Sequence, residues 1–343
     1  MALMTDATLG EIKDQIVKQN QALKNFALLY ARTTWQEIAA NVRAGRAKYL
    51  YEIGTELVCN YTVDDVTYEF PWVVVDNDRE WELEDGTKVP GLTLQAKFGT
   101  VEEIQFDAPE QEEATETNAL EGWYYCGRNA NTYTMLNLAT GDAVPYGDYE
   151  YVYHGSVNHA DAYRYGYNRY SLCAQRQWLN SAAGKGEWWT SQHPGDCPPS
   201  QLNNRKGFMA GLDADFLAVL RPVKIKTACN TVTDGGKVDT VCDTFFLPSV
   251  EETYGVPQIA DVEGPYFPYW KTVTGLDEPS NAANDGRSRP PVNNQSGAGV
   301  NLRCRSSNRT NVSSAWIVVG SGQLSSGTYA SNSYRSQPAC VIC

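Results

Sequence analysis

The sequence predicts an α+β protein with an N-terminal helical segment and a β-rich insertion. Helical spacing is confined to the first 44 residues and to two short stretches further along, whereas most other segments are short runs rich in Val, Thr, Tyr, Phe and Trp. With 343 residues, 42% of them hydrophobic, the chain can bury one large core. We divide it into a helical oligomerisation segment (1–48) and one domain (49–343), which contains an insertion (101–155) and a distinct C-terminal region (300–343).

The first helical stretch covers residues 6–44. Its apolar positions step by three and four residues, with one polar member: Leu9, Ile12, Ile16, Gln19, Leu23, Phe26 and Tyr30. This spacing predicts a coiled-coil seam in which the polar member sets the register. An amphipathic helix that packs on its own domain remains the alternative. A second helix runs from Thr34 to Ala44 and ends at Gly45, as expected for a C-terminal glycine.

Strands follow the helices. Residues 67–75 are rich in β-formers and lead into an Asp-Asn-Asp turn at 76–78, and residues 92–98 alternate between apolar and polar side chains. The insertion at 101–155 consists of short strands separated by Gly and other turn residues. These patterns predict that the chain is mostly β-strand from Tyr49 onward.

Two short helices interrupt the strands, at residues 170–180 and 208–220. Residues 243–249 predict a strand that enters a turn, and residues 251–255 a helical turn. The Asn-, Pro-, Gly- and Ser-rich stretch at 275–299 predicts a long loop, and residues 300–343 predict further strands.

Composition excludes several classes of protein. The net charge of −13, with 41 acidic and 28 basic residues, disfavours nucleic acid as a partner. There is no apolar run long enough to insert into a membrane and no signal peptide, so we expect folding in a cytoplasm. Nine scattered cysteines predict reduced thiols. The one close pair, Cys340 and Cys343, fits strand residues that point opposite ways, or a fraying end.

Motifs for catalysis are weak. The three histidines, His154, His159 and His193, form no helical metal pair, and a zinc site built from His154, His159 and a thiol is disfavoured. Neither a Gly-rich phosphate loop nor a Gly-x-Ser-x-Gly elbow occurs. We therefore predict no catalytic residue, no metal and no cofactor.

The C-terminal region has an unusual composition. Residues 301–336 contain no Asp, Glu, Lys or Met, and Ser, Asn, Gly and Arg dominate. Residues 315–319 nevertheless read as a strand in which Trp316 and Val318 point into a core while Ile317 and Val319 point outward. Residues 338–343 close the chain with apolar side chains. The region is therefore predicted to be a folded scaffold that displays polar residues.

Several motifs, taken in order, resemble the variable proteins of phage and prophage diversity-generating retroelements. They are Trp35–Gly45 with Ile53-Gly54, Arg176–Ser181, Gly207–Leu212, Phe245–Gly255, Arg305-Ser306, Ala315-Trp316, Ser321-Gly322 and Pro338-Ala339. The sequence departs from the family where Arg303 and Cys304 replace a Trp-Leu pair, and in the closing element Tyr334–Pro338. Arg303 and Cys304 would be accounted for if they were themselves diversified; the second departure has no explanation.

The resemblance implies a C-type-lectin-like domain, a fold shared with formylglycine-generating enzymes, that tolerates many side chains on one surface. Mutagenesis at template adenines cannot produce Lys, Glu, Gln, Met or Trp, which agrees with the composition of 301–336; Trp316 and Gln323 would be unmutated. The predicted ligand-binding residues are Arg303, Cys304, Ser307, Asn308, Ser313, Ser314, Ile317, Val319, Gly320, Ser325, Ser326, Gly327, Thr328, Tyr329, Ser331 and Asn332. Among them, Tyr329 and Arg303 are the expected hot spots.

The function implied is that of a phage tail adhesin, a homo-trimer carried on the virion and assembled in the host cytoplasm. It would bind a bacterial surface protein or glycan receptor and other phage tail proteins. Three alternatives are disfavoured. A copper enzyme of the formylglycine-generating type needs a cysteine pair in a groove, a calcium-dependent lectin needs an acidic sugar-binding loop, and a purely structural tail component would lack the biased C-terminal region.

Overall fold

A computed structural model describes residue 15 and residues 33–110, 162, 165–193, 196–274 and 297–343, together with the strand backbones at 123–129, 132–137 and 143–145. The heptads predicted at residues 9–30, most of the loop predicted at 275–299, and His154 and His159 lie outside this part of the chain.

The protein has a mixed α+β fold of mostly strands and short helices. The helices are α1 (Trp35–Arg43), α2 (Ala47–Leu50), α3 (Ala174–Leu179), α4 (Ala214–Leu217), α5 (Val250–Tyr254) and α6 (Pro268–Thr274), with a 3₁₀ helix at Phe208–Gly211. The strands are β1 (Glu56–Val63), β2 (Val66–Glu82), β3 (Lys88–Ala96), β4 (Glu103–Gln105), β5 (Trp123–Asn129), β6 (Thr132–Asn137), β7 (Ala143–Pro145), β8 (Val223–Ala228), β9 (Val238–Asp243), β10 (Phe245–Phe246), β11 (Leu302–Ser307), β12 (Ser314–Val318), β13 (Leu324–Tyr329), β14 (Ser333–Arg335) and β15 (Ala339–Ile342).

Local signals account for two of the helices. Thr34 caps α1 and forms a reciprocal capping box with Glu37, and the following Gly45 has a φ of +68°. Helix α5 repeats this arrangement with Ser249 and Glu252 at its start and a left-handed Gly255 at its end. The predictions for these two helices are confirmed.

One predicted helix is wrong. Residues 208–220 form a 3₁₀ turn and the short α4, separated by an extended Leu212. The break follows from packing, because a Cβ on Gly211 would lie 2.5 Å from the Tyr61 ring and Leu212 forms a bridge with Tyr61. Close approach to β1 therefore overrides the helical spacing.

A five-stranded antiparallel sheet, sheet A, has the order β1-β2-β3-β15-β10. The turn predicted at 76–78 is wrong, because β2 continues to Glu82 through register shifts around Asp76 and the chain reverses at residues 83–87 instead. Sheet A packs against aromatic side chains from outside it, including Phe208 and Phe216, and Trp72 at its centre is fully buried. This is the main core.

A second five-stranded sheet, sheet B, has the order β13-β12-β11-β14-β4. It holds residues 302–335 of the C-terminal region, while β15 belongs to sheet A, and β11 and β14 pair in parallel. Strand β4 pairs with β14, so residues 103–105 belong to sheet B although they lie within the range predicted for the insertion. Strands β5, β6 and β7 pair with one another in a three-stranded sheet, and β8 and β9 form a hairpin.

Candidate functional site

The predicted binding residues lie on sheet B and its connecting turns, but burial divides them into two groups. Seven are buried: Arg303, Cys304, Ser307, Ser313, Ser314, Ile317 and Thr328. Nine are half-buried or exposed: Asn308, Val319, Gly320, Ser325, Ser326, Gly327, Tyr329, Ser331 and Asn332. The display of the first group to a ligand, as the sequence predicted, is therefore corrected.

Arg303 is an internal support. Its side chain is 2% exposed, and its guanidinium donates to the backbone carbonyls of Ala315, Thr328, Tyr329 and Asn332 at 2.8–3.3 Å. The cation also lies 4.8 Å from the centroid of the Tyr334 ring. Burial lowers the pKa of Arg303 to about 10. Instead of contacting a ligand, this arginine joins β12 to the end of β13 and to the turn that follows it.

The inward assignment of Val318 on β12 is confirmed, and the outward assignment of Ile317 is corrected. Ile317 is 3% exposed, whereas Trp316 is only partly buried and donates from Nε1 to Gln258 at 3.1 Å. Ala315 packs in the main core, while Val318 and Trp316 pack on a separate cluster, so both faces of the strand are covered. Alternation along a strand predicts exposure only where one face is open to water.

The exposed candidates concentrate along β13, which is an edge strand of sheet B, and along the turn after it. We call this surface the β13 patch; it comprises Asn308, Ser325, Ser326, Gly327, Tyr329, Ser331 and Asn332. Asn308 Nδ2 donates to the Ser326 carbonyl at 3.2 Å, which holds the start of the β11–β12 turn against β13. The patch carries no charged side chain and presents hydroxyl, amide and phenol groups.

Tyr165 also belongs to this surface, although no motif in the sequence points to it. Its ring stacks on Tyr329 with centroids 3.8 Å apart and planes 7° from parallel. The Ser331 amide donates to the Tyr165 carbonyl at 2.7 Å, which fixes the two segments together. The stacked pair is a flat aromatic platform in the middle of a polar patch.

Val319 and Gly320 lie at the other end of β12, away from the patch. A Cβ on Gly320 would lie 3.1 Å from the Gly299 carbonyl carbon, whereas a Cβ on Gly327 would meet no atom within 4 Å. A side chain is therefore accommodated at Gly327 without strain, and at Gly320 only if the neighbouring chain moves.

A buried ionic network is built around Arg305 on β11, the central strand of sheet B. Arg305 Nη1 donates to Glu252 Oε2 at 2.6 Å, and Arg79 lies 3.4 Å from the other oxygen of the same carboxylate. A cleft of about 620 Å³ opens above this network, with lysines and acidic residues in its walls, among them Lys224, Lys226 and Asp261. Because Glu252 also caps α5, the network supports the fold at the base of the cleft.

A group of polar side chains that could hold a metal ion lies at Asp107, His193 and Asp196, whose ligand atoms are within 4.8 Å of one another. Glu110 Oε1 is 3.8 Å from His193 Nε2. No local motif indicates this group, because its members come from two distant segments. The zinc site disfavoured from the sequence involves His154 and His159, which lie outside the described residues.

The cysteine pair at the end of the chain does not form a site. Cys340 and Cys343 are free thiols, and they pack in two different core clusters on opposite faces of sheet A. Burial raises the pKa of Cys343 to about 11 and raises the pKa of Cys340 well above its ordinary value. Two thiols in separate cores cannot together bind an ion in a groove.

Across the described residues, no helix combines the length and the apolar character needed to span a membrane. No curated protein and no solved structure matches the chain. One family, described as a domain of unknown function (DUF6273), matches residues 148–343, a stretch that includes all of α3 to α6 and β8 to β15. Because this match covers more than half of the sequence, the chain belongs to the DUF6273 family.

Proposed function

We propose that the protein is a diversified receptor-binding protein, a phage tail adhesin that binds a bacterial surface receptor through the β13 patch. The observation that carries this proposal is the chemistry of the patch. Antibody binding loops favour Tyr, Ser, Gly and Asn, because tyrosine offers a rigid contact area and the small polar residues offer adaptable hydrogen bonds. The patch consists of these residue types alone and is arranged around the stacked rings of Tyr165 and Tyr329.

The scaffold beneath the patch supports the same proposal. A surface can vary only if its exposed side chains contribute little to stability, and exposed substitutions seldom cost more than about 0.5 kcal/mol. Below the patch, Arg303, Ser307 and Thr328 are buried, and Arg303 ties the carbonyls of the patch strand and its turn to β12. The residues that support the strand are thus different from the residues that are exposed to a receptor.

The finer fold proposed is a C-type-lectin-like domain. Two features of the topology support it. The last strand, β15, pairs with β3 near the start of the domain, and residues 302–335, which precede β15 in the sequence, form strands of sheet B. The absence of Asp, Glu, Lys and Met from residues 301–336 supports diversification by adenine mutagenesis. We further propose that the chain is a homo-trimer on the virion, where several weak sites give avidity.

Binding to bacterial cells tests the proposal. The full-length protein, fluorescently labelled, is incubated with a panel of gut bacterial strains, and the variants Tyr329→Ala and Tyr165→Ala are compared with Tyr49→Ala. Tyr49 is 75% exposed and lies far from the patch in sequence, so it is a matched control. A strain that binds the wild type should lose about tenfold or more in affinity for the two patch variants and retain its affinity for the control, since aromatic hot spots contribute 2 kcal/mol or more, on the order of tenfold upward. Equal binding by all variants would contradict the assignment of the patch. Protease or periodate treatment of the cells then separates protein from glycan receptors.

The gene provides a second test. A near-copy of the segment for residues 301–336 should lie close by, carrying AAC or AAT where the patch residues are encoded. Differences should concentrate at patch positions such as Ser325, Ser326 and Tyr329, while Trp316 and Leu324 should match. Without such a copy, an adhesin of fixed sequence becomes the better interpretation.

The trimer is tested by light scattering on the full-length chain and on a chain that starts at Tyr49. The full-length protein should have the mass of three chains, and removal of residues 1–48 should lower it. A monomeric full-length protein would contradict the trimer and leave the binding patch unaffected.

A further inference from the structure

We propose that Asp107, Glu110, His193 and Asp196 form a binding site for one divalent transition-metal ion, with Zn²⁺ or Mn²⁺ as the ligand. The inference does not depend on the receptor-binding function. It rests on the geometry of the four side chains and on buried carboxylate oxygens that have no hydrogen-bond partner among the described residues.

The four side chains converge from two short segments. Asp107 and Glu110 follow β4, and His193 and Asp196 are held next to each other because the Asp196 amide donates to the His193 carbonyl at 3.2 Å. One ligand atom each from Asp107, His193 and Asp196 lies within 4.8 Å of the others. Two ligand atoms bound to the same tetrahedral zinc ion lie about 3.4 Å apart, so side-chain rotations that move these atoms by roughly one ångström close the site.

Two of the carboxylates are buried without adequate partners. Glu110 is 8% exposed and Asp196 is 5% exposed, and neither Glu110 Oε2 nor Asp196 Oδ1 has a hydrogen-bond partner among the described residues. A buried charge that lacks a partner is costly, so folded proteins pair such groups or use them to coordinate metals. With Asp107, three carboxyl groups meet in one place, and no arginine or lysine is paired with Glu110, Asp107 or Asp196 within the described residues.

The remaining contacts of the cluster orient it. The two Asp107 oxygens accept from the amides of Tyr167 and Ala174 at 3.2 and 3.4 Å, and Asp196 Oδ2 accepts from the Gln192 amide at 2.8 Å. The His193 ring lies edge-on to Tyr167, with centroids 5.8 Å apart. Such contacts to metal ligands fix their direction, as outer-shell partners do in known metal sites.

A divalent ion would pair with the three carboxyl groups and the imidazole that meet here, and would thereby offset the cost of burying several acidic side chains together. The donor set, one imidazole with carboxylate oxygens, suits Zn²⁺ and Mn²⁺ better than an all-oxygen site for Ca²⁺ or Mg²⁺.

The position of the site gives the ion a structural role. The Asp107 amide donates to the Ala330 carbonyl at 3.1 Å, next to Tyr329, and Tyr167 follows Tyr165 by two residues. An ion at the cluster would therefore join the segment after β4, which is bonded to the residue following Tyr329, to His193 and Asp196.

The experiment uses the full-length chain, first stripped with EDTA and dialysed into metal-free buffer. Melting is followed by circular dichroism after addition of ZnCl₂, MnCl₂, CaCl₂ or MgCl₂, and bound metal is counted by mass spectrometry. We expect one Zn²⁺ or Mn²⁺ per chain and a higher melting temperature with that ion. No retained ion, or a melting temperature that responds only to Ca²⁺ or Mg²⁺, would overturn the proposal.

Variants tie the binding to these residues. Glu110→Gln removes a charge that has no partner on Oε2, so the variant should fold; His193→Gln removes the imidazole, and Asp215→Asn is an exposed acidic control. Loss of an outer-shell partner weakens metal affinity by up to about 100-fold. Loss of a direct ligand should cost at least as much, so each cluster variant should bind the metal at least about 100-fold more weakly, whereas the control should bind it as the wild type does.

If a cluster variant fails to fold, Co²⁺ added to the wild type provides an independent readout. Visible absorption bands shifted by nitrogen coordination would support the imidazole ligand. A spectrum identical to that of aqueous Co²⁺ would refute it, as would equal metal affinity in wild type and His193→Gln.

Discussion

The buried guanidinium of Arg303 gives the sharpest test of how sheet B is held together. Replacement by methionine keeps most of the volume and leaves the four carbonyl oxygens it serves without their donor. The contacts to Ala315 and Thr328 are long, at 3.3 Å, so those to Tyr329 at 2.8 Å and Asn332 at 3.2 Å carry most of the effect. A hydrogen bond to a charged group contributes about 1.5–3 kcal/mol. Two such bonds amount to roughly 3 kcal/mol, and relief of the cost of burying a cation returns part of this.

We therefore expect Arg303→Met to lower the free energy of unfolding by about 2–3 kcal/mol, which corresponds to a fall in melting temperature of roughly 4–8 °C for a domain of this size. Thermal melting followed by circular dichroism measures the change, and Ser325→Ala on the exposed strand is the control, expected within about 0.5 kcal/mol of the wild type. If Arg303→Met melts like the control while binding to cells is lost, the arginine is a ligand contact and its role as an internal support is refuted.

Three further predictions concern other positions. Gly320→Ser should destabilise the fold by about 1–3 kcal/mol, because the added atoms crowd Gly299, whereas Gly327→Ser should be neutral; melting temperatures distinguish them. Trp316→Ala should lower the free energy of unfolding, measured by chemical denaturation, by about 2–3 kcal/mol. This is less than the roughly 3–5 kcal/mol expected for a fully buried tryptophan, because Trp316 is only partly buried. A loss of about 5 kcal/mol would contradict its partial burial. Although burial opposes it, hydrogen bonds from Arg169 and Ser171 lower the pKa of Asp239 to about 2. The ionised carboxylate therefore stabilises the fold above its unfolded pKa of about 4, and this stabilisation is lost as the pH falls toward 2. Between about pH 5 and pH 3 the melting temperature should fall less for Asp239→Asn than for the wild type, and equal falls would contradict the ion pair.

Elements with local signals were predictable from the sequence. Thr34 and Ser249 cap the starts of α1 and α5, and a glutamate follows each of them three residues later. A glycine follows the end of each helix. The bounds of both helices are therefore determined by residues within one helical turn of each end. Strand content around residues 67–75 and 92–96 likewise follows from β-forming side chains.

Burial in the C-terminal region was not predictable, because distant segments decide it. Arg303 resembles an exposed interface arginine until the four carbonyl groups around it come together from β12, β13 and the following turn. Ile317 is covered because both faces of sheet B are packed. The Asp107 and His193 segments are more than eighty positions apart, so no motif search over a short window detects their cluster.

The two ends of the segment 111–161 lie next to each other in the structure. The Glu110 amide donates to the Ala162 carbonyl at 3.3 Å, so the chain enters and leaves this segment through neighbouring positions. Each doubling of a connecting segment costs only about 0.6 kcal/mol in closure entropy. We therefore expect changes in the length of this segment to leave the pairing of the main sheets and the surface around Tyr329 intact.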